Sequence, residues 1–323
     1  YEATVAADAT VTLATLNSAG DNVTLNVAGD IDLDSANATE LDITINATED
    51  SVVELQNNLS VNAEKIFITG DKDVTLSVTT GAALAGAAGT GTIIADNSTG
   101  TSSIRFDGTM AGTTVLSEAA VDVVEVAKAV TATTALTLNN NTKLNLSADA
   151  AGTSFTVGLN DNDDNTTFTT GTLRVDVSEA QSKSIATHTS VDTVIVTATP
   201  DEVTDLDKDE NGTNETSMTI NDLQLVEETD VVMVQGAENL VLSNFTVNKA
   251  ALVADPAAEY VLSAASMTGD LTVSNVVVAA GAGLGTVGKV TIVGGSGNDK
   301  ITTTAASTAV NKRHQQHFDE LKD

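Results

Sequence analysis

The chain has 323 residues, enough for two ordinary domains or one long solenoid, and its 45 acidic against 14 basic residues give a net charge of −31. With no basic stripe to neutralise phosphates, nucleic acid is excluded as a partner, and an anionic membrane surface would repel the chain. No apolar run reaches the roughly 18 residues of a helical membrane span, so the chain is expected not to be transmembrane.

Hydrophobic residues make up 41% of the sequence but aromatics only 2%, with no Trp and no Cys. The apolar load is therefore Val, Ile, Leu and Ala, which suits a thin core built from repeated small layers. Disulfide staples are absent, leaving stacking and metal ions as the available reinforcements. Abundant Thr and Val favour strands, and abundant Asn, Asp and Gly favour turns.

Strands are predicted from the start. Val11–Leu13, Val23–Val27, Ile31–Leu33 and Leu41–Ile45 alternate apolar with polar residues, so that Val23, Leu25 and Val27 share one face. Turn residues such as Ala28-Gly29-Asp30 separate them at eight to twelve residues, the rhythm of a sandwich, barrel or solenoid. The pattern continues through Val52–Leu55, Leu59–Val61, Ile66–Ile68 and Val74–Val78. Residues Gly81 to Gly91 form an uncharged Ala/Gly/Thr run whose glycines predict a loop, after which Ile93-Ile94 and Ile104–Phe106 resume the strands.

One phrase recurs: a small residue or Val, an acid, any residue, an aliphatic, any residue, an aliphatic. It occurs at Ala63–Ile68, Val121–Val126, Val191–Val196 and Ala237–Leu242. The intervals accommodate two or three solenoid coils of roughly 20–25 residues each, with the acid at a turn and both aliphatics in the core. The expected fold is all-β: a right-handed parallel β-helix or β-solenoid with short strands and acidic loop insertions. Tandem β-sandwich domains are the alternative.

Two acidic loops interrupt the middle of the chain, at 160–165 and at 201–216. The second follows Pro200 and marks the best candidate boundary, giving a β-solenoid region at 1–200, an acidic loop or linker at 201–216, a second β-rich region at 217–303 and a tail at 304–323. Within the second region, Met218–Ile220, Val231–Val234, Leu240–Leu242, Leu271–Val273 and Val287–Val293 read as strands, and Ala257–Met267 as a short helix. The tail, with His314, His317 and dense mixed charge, reads as a terminal extension, a short helix or an added segment. The chain begins at Tyr1 rather than Met, so it is expected to start inside a longer precursor.

Three stretches point to calcium. Gly294-Gly295-Ser296-Gly297-Asn298-Asp299-Lys300-Ile301-Thr302 fits the nonapeptide G-G-x-G-x-D-x-U-x at every fixed position. Its glycines, Gly295 and Gly297 among them, would permit positive φ and let carbonyl oxygens converge on a cation. Asp299 would supply a charged oxygen ligand and Ile301 would fill the core. Asp207-Lys208-Asp209-Glu210-Asn211-Gly212 matches the front half of a calcium loop, with oxygens at its first, third and fifth positions. Its twelfth position is Met218, so Glu215 is the candidate to close the shell. Asp161, Asp163 and Asn165 have the same oxygen spacing, with Thr166 in place of the glycine.

Catalytic signals are weak, and the chain is expected not to be an enzyme. His188 lies in no nucleophile-elbow context, and no phosphate loop occurs. Paired carboxylates among 45 acids are uninformative, and the aromatic platforms usual in carbohydrate sites are scarce.

The nonapeptide, the acid-before-strand phrase, the acidic Thr/Ala/Asn/Val-rich composition and the lack of Cys together make the chain resemble a bacterial surface-layer protein of the RTX type, exported by type I secretion. The resemblance implies calcium-dependent folding outside the cell, localisation at the bacterial surface and self-assembly into a two-dimensional lattice, with cell-surface polysaccharide as a further partner. The departure from the family pattern is the lack of a tandem array of nonapeptides. A secreted adhesin on the same solenoid is the alternative function, and a secreted β-helix enzyme acting on polysaccharide is the second alternative. Asn-x-Ser/Thr triplets such as Asn22–Thr24 and Asn46–Thr48 also allow surface glycosylation.

Overall fold

A computed structural model describes residues 2–13, 22–35, 41–56, 63–78, 93–108, 112–116, 119–127, 134–148, 155–160, 171–178, 180–188, 190–199, 217–225, 229–248, 259–279, 289–302 and 310–313. Among the described residues the regular structure is strand, with no helix.

The chain forms two compact units, Tyr1–Thr169 and Thr170–Asp323. The first begins with β1 (Glu2–Ala6), β2 (Ala9–Leu13), β3 (Asn22–Ala28), β4 (Ile31–Ser35), β5 (Leu41–Ala47) and β6 (Ser51–Gln56). It continues with β7 (Ala63–Gly70), β8 (Val74–Val78), β9 (Ile93–Asp96), β10 (Ser102–Phe106) and β11 (Gly112–Leu116). It closes with β12 (Ala119–Ala120), β13 (Val123–Val126), β14 (Thr134–Asn139), β15 (Lys143–Leu146) and β16 (Phe155–Asn160). Its first sheet has the order β1-β3-β5-β7-β9-β12, its second β2-β4-β6-β8-β10-β13-β15 and its third β11-β14-β16. Consecutive strands thus lie in different sheets, and each strand pairs in parallel with its counterpart one coil later, as β1 does with β3 and β2 with β4. That is a parallel β-solenoid. It replaces the sandwich alternative, whose sheets would be antiparallel.

The second unit contains β17 (Gly171–Val177), β18 (Gln181–Thr187), β19 (Val191–Ala198), β20 (Ser217–Leu225), β21 (Val231–Gly236) and β22 (Asn239–Asn248). It ends with β23 (Glu259–Met267), β24 (Leu271–Val273), β25 (Val276–Ala279), β26 (Lys289–Val293), β27 (Lys300–Ile301) and β28 (Val310–Arg313). One sheet runs β17-β19-β21-β23-β26-β28 and the other β18-β20-β22-β24-β27, with β25 also beside β22. The described pairs here are parallel as well, for example β20 with β22 and β23 with β26.

Period-two alternation explains how each coil builds a core. β3 reads exposed, buried, half-buried, buried in strict alternation, with Val23, Leu25 and Val27 inward. Stacking then aligns like with like. In the second sheet of the first unit, Ile31, Val53, Leu76, Ile104, Val124 and Leu144 are register partners in succession and all are buried. Leu33, Leu55, Val78, Phe106, Val126 and Leu146 form the parallel column beside it. Each fully buried aliphatic contributes about 1.5–3 kcal/mol, and no single coil could bury its face alone. The two aliphatics of the recurring phrase point inward in every copy: Ile66 and Ile68, Val124 and Val126, Val194 and Val196, Leu240 and Leu242 are buried.

Coil spacing follows the loops. Asn46 lies 20 residues beyond its partner Asn26, and Asp32 lies 22 beyond Thr10. Thr101 lies 28 beyond Asp73, a coil enlarged by the Ala/Gly/Thr run, and Asp222 lies 38 beyond Ser184, a coil enlarged by the acidic stretch 201–216. Parallel pairing persists across these longer coils, with a register shift between Gln181 and Ser184 where β18 meets β20.

Two sequence-based expectations are corrected. Ala257–Met267 is not helical: Glu259–Met267 is β23, paired with β21 and β26. Its run Tyr260-Val261-Leu262 carries β-favouring residues, and neighbouring strands on both sides override the helix propensity of its alanines. Part of the tail is also structured, since Val310–Arg313 adds β28 in register with Val290–Val293.

Candidate functional site

Because each coil ends in a turn, backbone amides at the coil boundary would lack partners unless a side chain supplied one. Aspartates do so. Asp30, Asp50, Asp73 and Asp122 each stand directly before a strand of the second sheet. Asp30 Oδ1 accepts from the Val52 amide at 2.9 Å, Asp50 Oδ1 from Asp73 at 3.1 Å and Asp73 Oδ1 from Thr101 at 2.7 Å. Asp122 Oδ2 accepts from Ser102 at 3.0 Å. Each is a charge-assisted bond between one coil and its neighbour. The sequence hinted at this through acids placed before strands, but the recurring phrase mixes strands from different sheets and hid the column.

The same device organises the nonapeptide. Asn239 Oδ1 accepts from the Asp270 amide at 2.8 Å, Asp270 Oδ1 from Asn298 at 2.6 Å, and Asp299 Oδ1 from Leu271 at 2.9 Å. The glycines serve close approach rather than positive φ, which among the described glycines occurs at Gly29, Gly70 and Gly236. A Cβ on Gly295 would run into the Met267 and Ala264 carbonyls, and one on Gly297 into the Gly269 carbonyl and Asp270 Oδ1. Ile301 is buried, as the motif predicts. As a calcium donor set the turn is a poor fit. Asp299 and Asp270 each spend one carboxylate oxygen on an amide, and among the described residues no group of three or more His, Cys, Asp or Glu is arranged to hold a metal ion. Asp161, Asp163, Asp207, Asp209, Asn211 and Glu215 lie outside the described residues, as do His314 and His317. His188 is exposed on a turn, with its Nδ1 3.4 Å from both the Ser190 hydroxyl and the Ser190 amide.

Four carboxylates of the first unit meet at an open depression of about 340 Å³ lined by Asp8, Asp30, Ile31, Asp32, Val52 and Glu54. Asp8 is held at φ 58°, a left-handed conformation that Asp tolerates, and its amide donates to the Asp30 carbonyl at 2.7 Å. Parallel pairing puts Asp32 directly beside Glu54, one strand spacing away. Thr10 Oγ1 donates to Asp32 Oδ2 at 3.3 Å. Desolvation raises the Glu54 pKa above its ordinary value, helped by a hydrogen bond to Asp32 and by the charges of Asp32 and Asp107. Farther along the same outward column Arg105 forms ion pairs: its Nε lies 2.9 Å from Asp107 Oδ1 and 3.9 Å from Glu125 Oε2. Arg105 is two coils from Glu54 by register, so the Asp32–Glu54 pair has no cation next to it in its column. Chemically the depression can take up a proton or a solvated divalent counterion.

Comparison with known protein families, curated proteins and solved structures finds no match to this chain.

Proposed function

We propose that this chain is a structural protein of the bacterial cell surface, similar to RTX-type surface-layer subunits, whose folding and self-assembly depend on calcium. The observation that carries this reading is the stacking of acids in register on a parallel solenoid, with Asp32 beside Glu54 and Asp8 and Asp30 on the same wall, in a chain of net charge −31. Parallel stacking brings like charges within one strand spacing, which is destabilising, and a hard divalent cation is the counterion that oxygen-rich surfaces attract. Calcium would bind the folded coils and not the unfolded chain, stabilising them by mass action, by about 2.7 kcal/mol at a hundredfold excess over Kd. Outside the cell it would neutralise repelling surfaces and bridge copies, with the acidic loops at 160–165 and 201–216 as further ligand sources. The chain's role in this reading is scaffolding, not catalysis.

The test is a pair of thermal melts, in millimolar calcium and in chelator, followed by electron microscopy of the calcium sample. A raised Tm and ordered sheets are expected. An unchanged Tm would sink the calcium reading, and a raised Tm with a strictly monomeric chain would favour the adhesin.

A further inference from the structure

Six Asn-x-Ser/Thr triplets fall wholly on described residues: Asn22–Thr24, Asn46–Thr48, Asn97–Thr99, Asn140–Thr142, Asn145–Ser147 and Asn244–Thr246. Such a triplet is an acceptor for N-linked glycan only where its asparagine amide and the hydroxyl two residues on can both be engaged by an enzyme. Four of the six have committed one or both groups to the solenoid. Asn46 Nδ2 donates to Asn26 Oδ1 at 2.8 Å while Thr48 Oγ1 donates to the Val27 carbonyl at 3.0 Å. Asn244 Nδ2 donates to the Asn221 carbonyl and Thr246 Oγ1 to Asp222 Oδ1. Thr142 Oγ1 is buried against the Val121 carbonyl at 2.8 Å, and Ser147 Oγ donates to Glu125 Oε1 at 2.5 Å. In the fifth triplet Asn22 makes an interaction of its own.

Asn97 is different. It opens the turn between β9 and β10, and a compact set of bonds holds that turn from below. Its own amide donates to the Ile68 carbonyl at 2.8 Å, and the Thr99 amide to the Gly70 carbonyl at 2.9 Å. Asp96 ties down the intervening residue: its Oδ1 accepts from the Ser98 amide at 2.8 Å and the Ser98 hydroxyl at 2.7 Å, and its Oδ2 from the Ser102 hydroxyl at 2.7 Å. Gly100 closes on the Lys72 carbonyl, where a Cβ would collide. The consequence is an alternation across the triplet. Ser98 is half-buried and tethered, while Asn97 and Thr99 are exposed and, among the described residues, neither side chain has a partner. On this turn both groups of the triplet that an acceptor uses are therefore accessible from solvent.

The geometry points to Asn97 as an N-glycosylation site, taking an oligosaccharide from a polyprenyl-pyrophosphate donor. In the transfer Asn97 Nδ2 forms a bond to the sugar's anomeric carbon, the bond from that carbon to the pyrophosphate oxygen breaks, the lipid pyrophosphate leaves, and Nδ2 gives up one proton. Nothing is oxidised or reduced. A glycan here extends into solvent from a turn, whereas one on Asn46 or Asn244 would remove a rung from a side-chain ladder. The inference shares with the proposed function only the expectation that the chain leaves the cytoplasm; it is independent of calcium and of any lattice.

The test uses the full chain isolated from the cells that produce it. Cleavage after Lys72 and Arg105 yields a peptide in which Asn97 is the single asparagine. Glycoamidase treatment in heavy-oxygen water converts a glycosylated Asn97 to a heavy-oxygen-labelled aspartate. That label is expected on this peptide at least tenfold above the label at the four engaged triplets, and Asn97→Gln and Thr99→Ala should each remove it without moving the Tm. An unlabelled Asn97, or equal label at Asn46 and Asn244, would overturn the assignment. Either result leaves the calcium melts unaffected, so the two readings fail separately.

Discussion

Asp299 offers a decisive substitution, because the nonapeptide pattern and the structure assign it different work. By pattern it is a calcium ligand. In the structure its Oδ1 caps the Leu271 amide of the preceding coil at 2.9 Å. Asp299→Ala leaves that part-buried amide unpaired and removes a charge-assisted bond, a loss of about 1.5–3 kcal/mol. For a unit the size of Thr170–Asp323, each kcal/mol corresponds to roughly 2–4 °C, so a fall of roughly 3–12 °C is expected in its transition. Asp299→Asn keeps an acceptor oxygen in the same place and should lose less than about 1 kcal/mol, a neutral bond replacing a charged one. Calorimetry of wild type and both variants, each in calcium and in chelator, separates the two roles. The structure requires Asn to be mild and Ala severe in chelator, with the calcium-induced shift of wild type retained in Asp299→Asn. If the calcium shift vanishes in Asp299→Asn, or if Asn is as damaging as Ala in chelator, the capping role is refuted and the pattern's assignment stands.

Two further substitutions test the charge and the core. The raised pKa of Glu54 means that the folded chain holds this proton more tightly than the unfolded chain. Stability therefore falls as pH rises from the unfolded carboxyl range through the folded value, and the penalty is complete above it. Solvent screening keeps the effect at this partly exposed pair small, so Glu54→Gln should raise stability at pH 7 by no more than ~0.5 kcal/mol while leaving it unchanged near pH 3, and denaturant melts at both values check the sign. Phe245 is fully buried between its register partners Leu223 and Val276. Phe245→Ala should cost about 3–5 kcal/mol in a urea melt, and a loss below ~1 kcal/mol would mean that this column is not close-packed.

The solenoid was legible in the sequence for a physical reason. Parallel stacking demands only that each coil present aliphatics at alternate positions, and that demand is local: Val23-Thr24-Leu25-Asn26-Val27 already contains it. Which strand pairs with which is less local. The recurring phrase correctly marked Ile66, Val124, Val194 and Leu240 as core, yet it places β7, β19 and β22 in different sheets, because the same strand chemistry serves every side of a coil. The stretch Ala257–Met267 reads as helix because its alanines favour helix in isolation, while its strand character comes from β21 and β26 on either side. At the candidate site, acids before strands were visible, but their bonding was not. Whether Asp73 faces solvent or the Thr101 amide depends on a coil 28 residues away.

The turn aspartates change what the net charge means. Asp30, Asp50, Asp73, Asp122, Asp270 and Asp299 each give one carboxylate oxygen to a backbone amide of an adjacent coil. Those bonds already offset part of their charge, so these residues are poor first choices as calcium ligands even where a motif names them. Under the proposed function, any counterion effect should instead be concentrated where carboxylates face one another without an amide or a cation between them. Among the described residues that condition is met beside Asp32 and Glu54, where desolvation, with Asp32 adding to it, raises the Glu54 pKa. In a stack whose stability is a sum of nearest-neighbour terms, repulsion at one interface is felt locally and not averaged over the chain. A counterion at that interface would therefore act on the coils of β2, β4 and β6, and amide-exchange protection should rise there before it rises in the coils around Asp299.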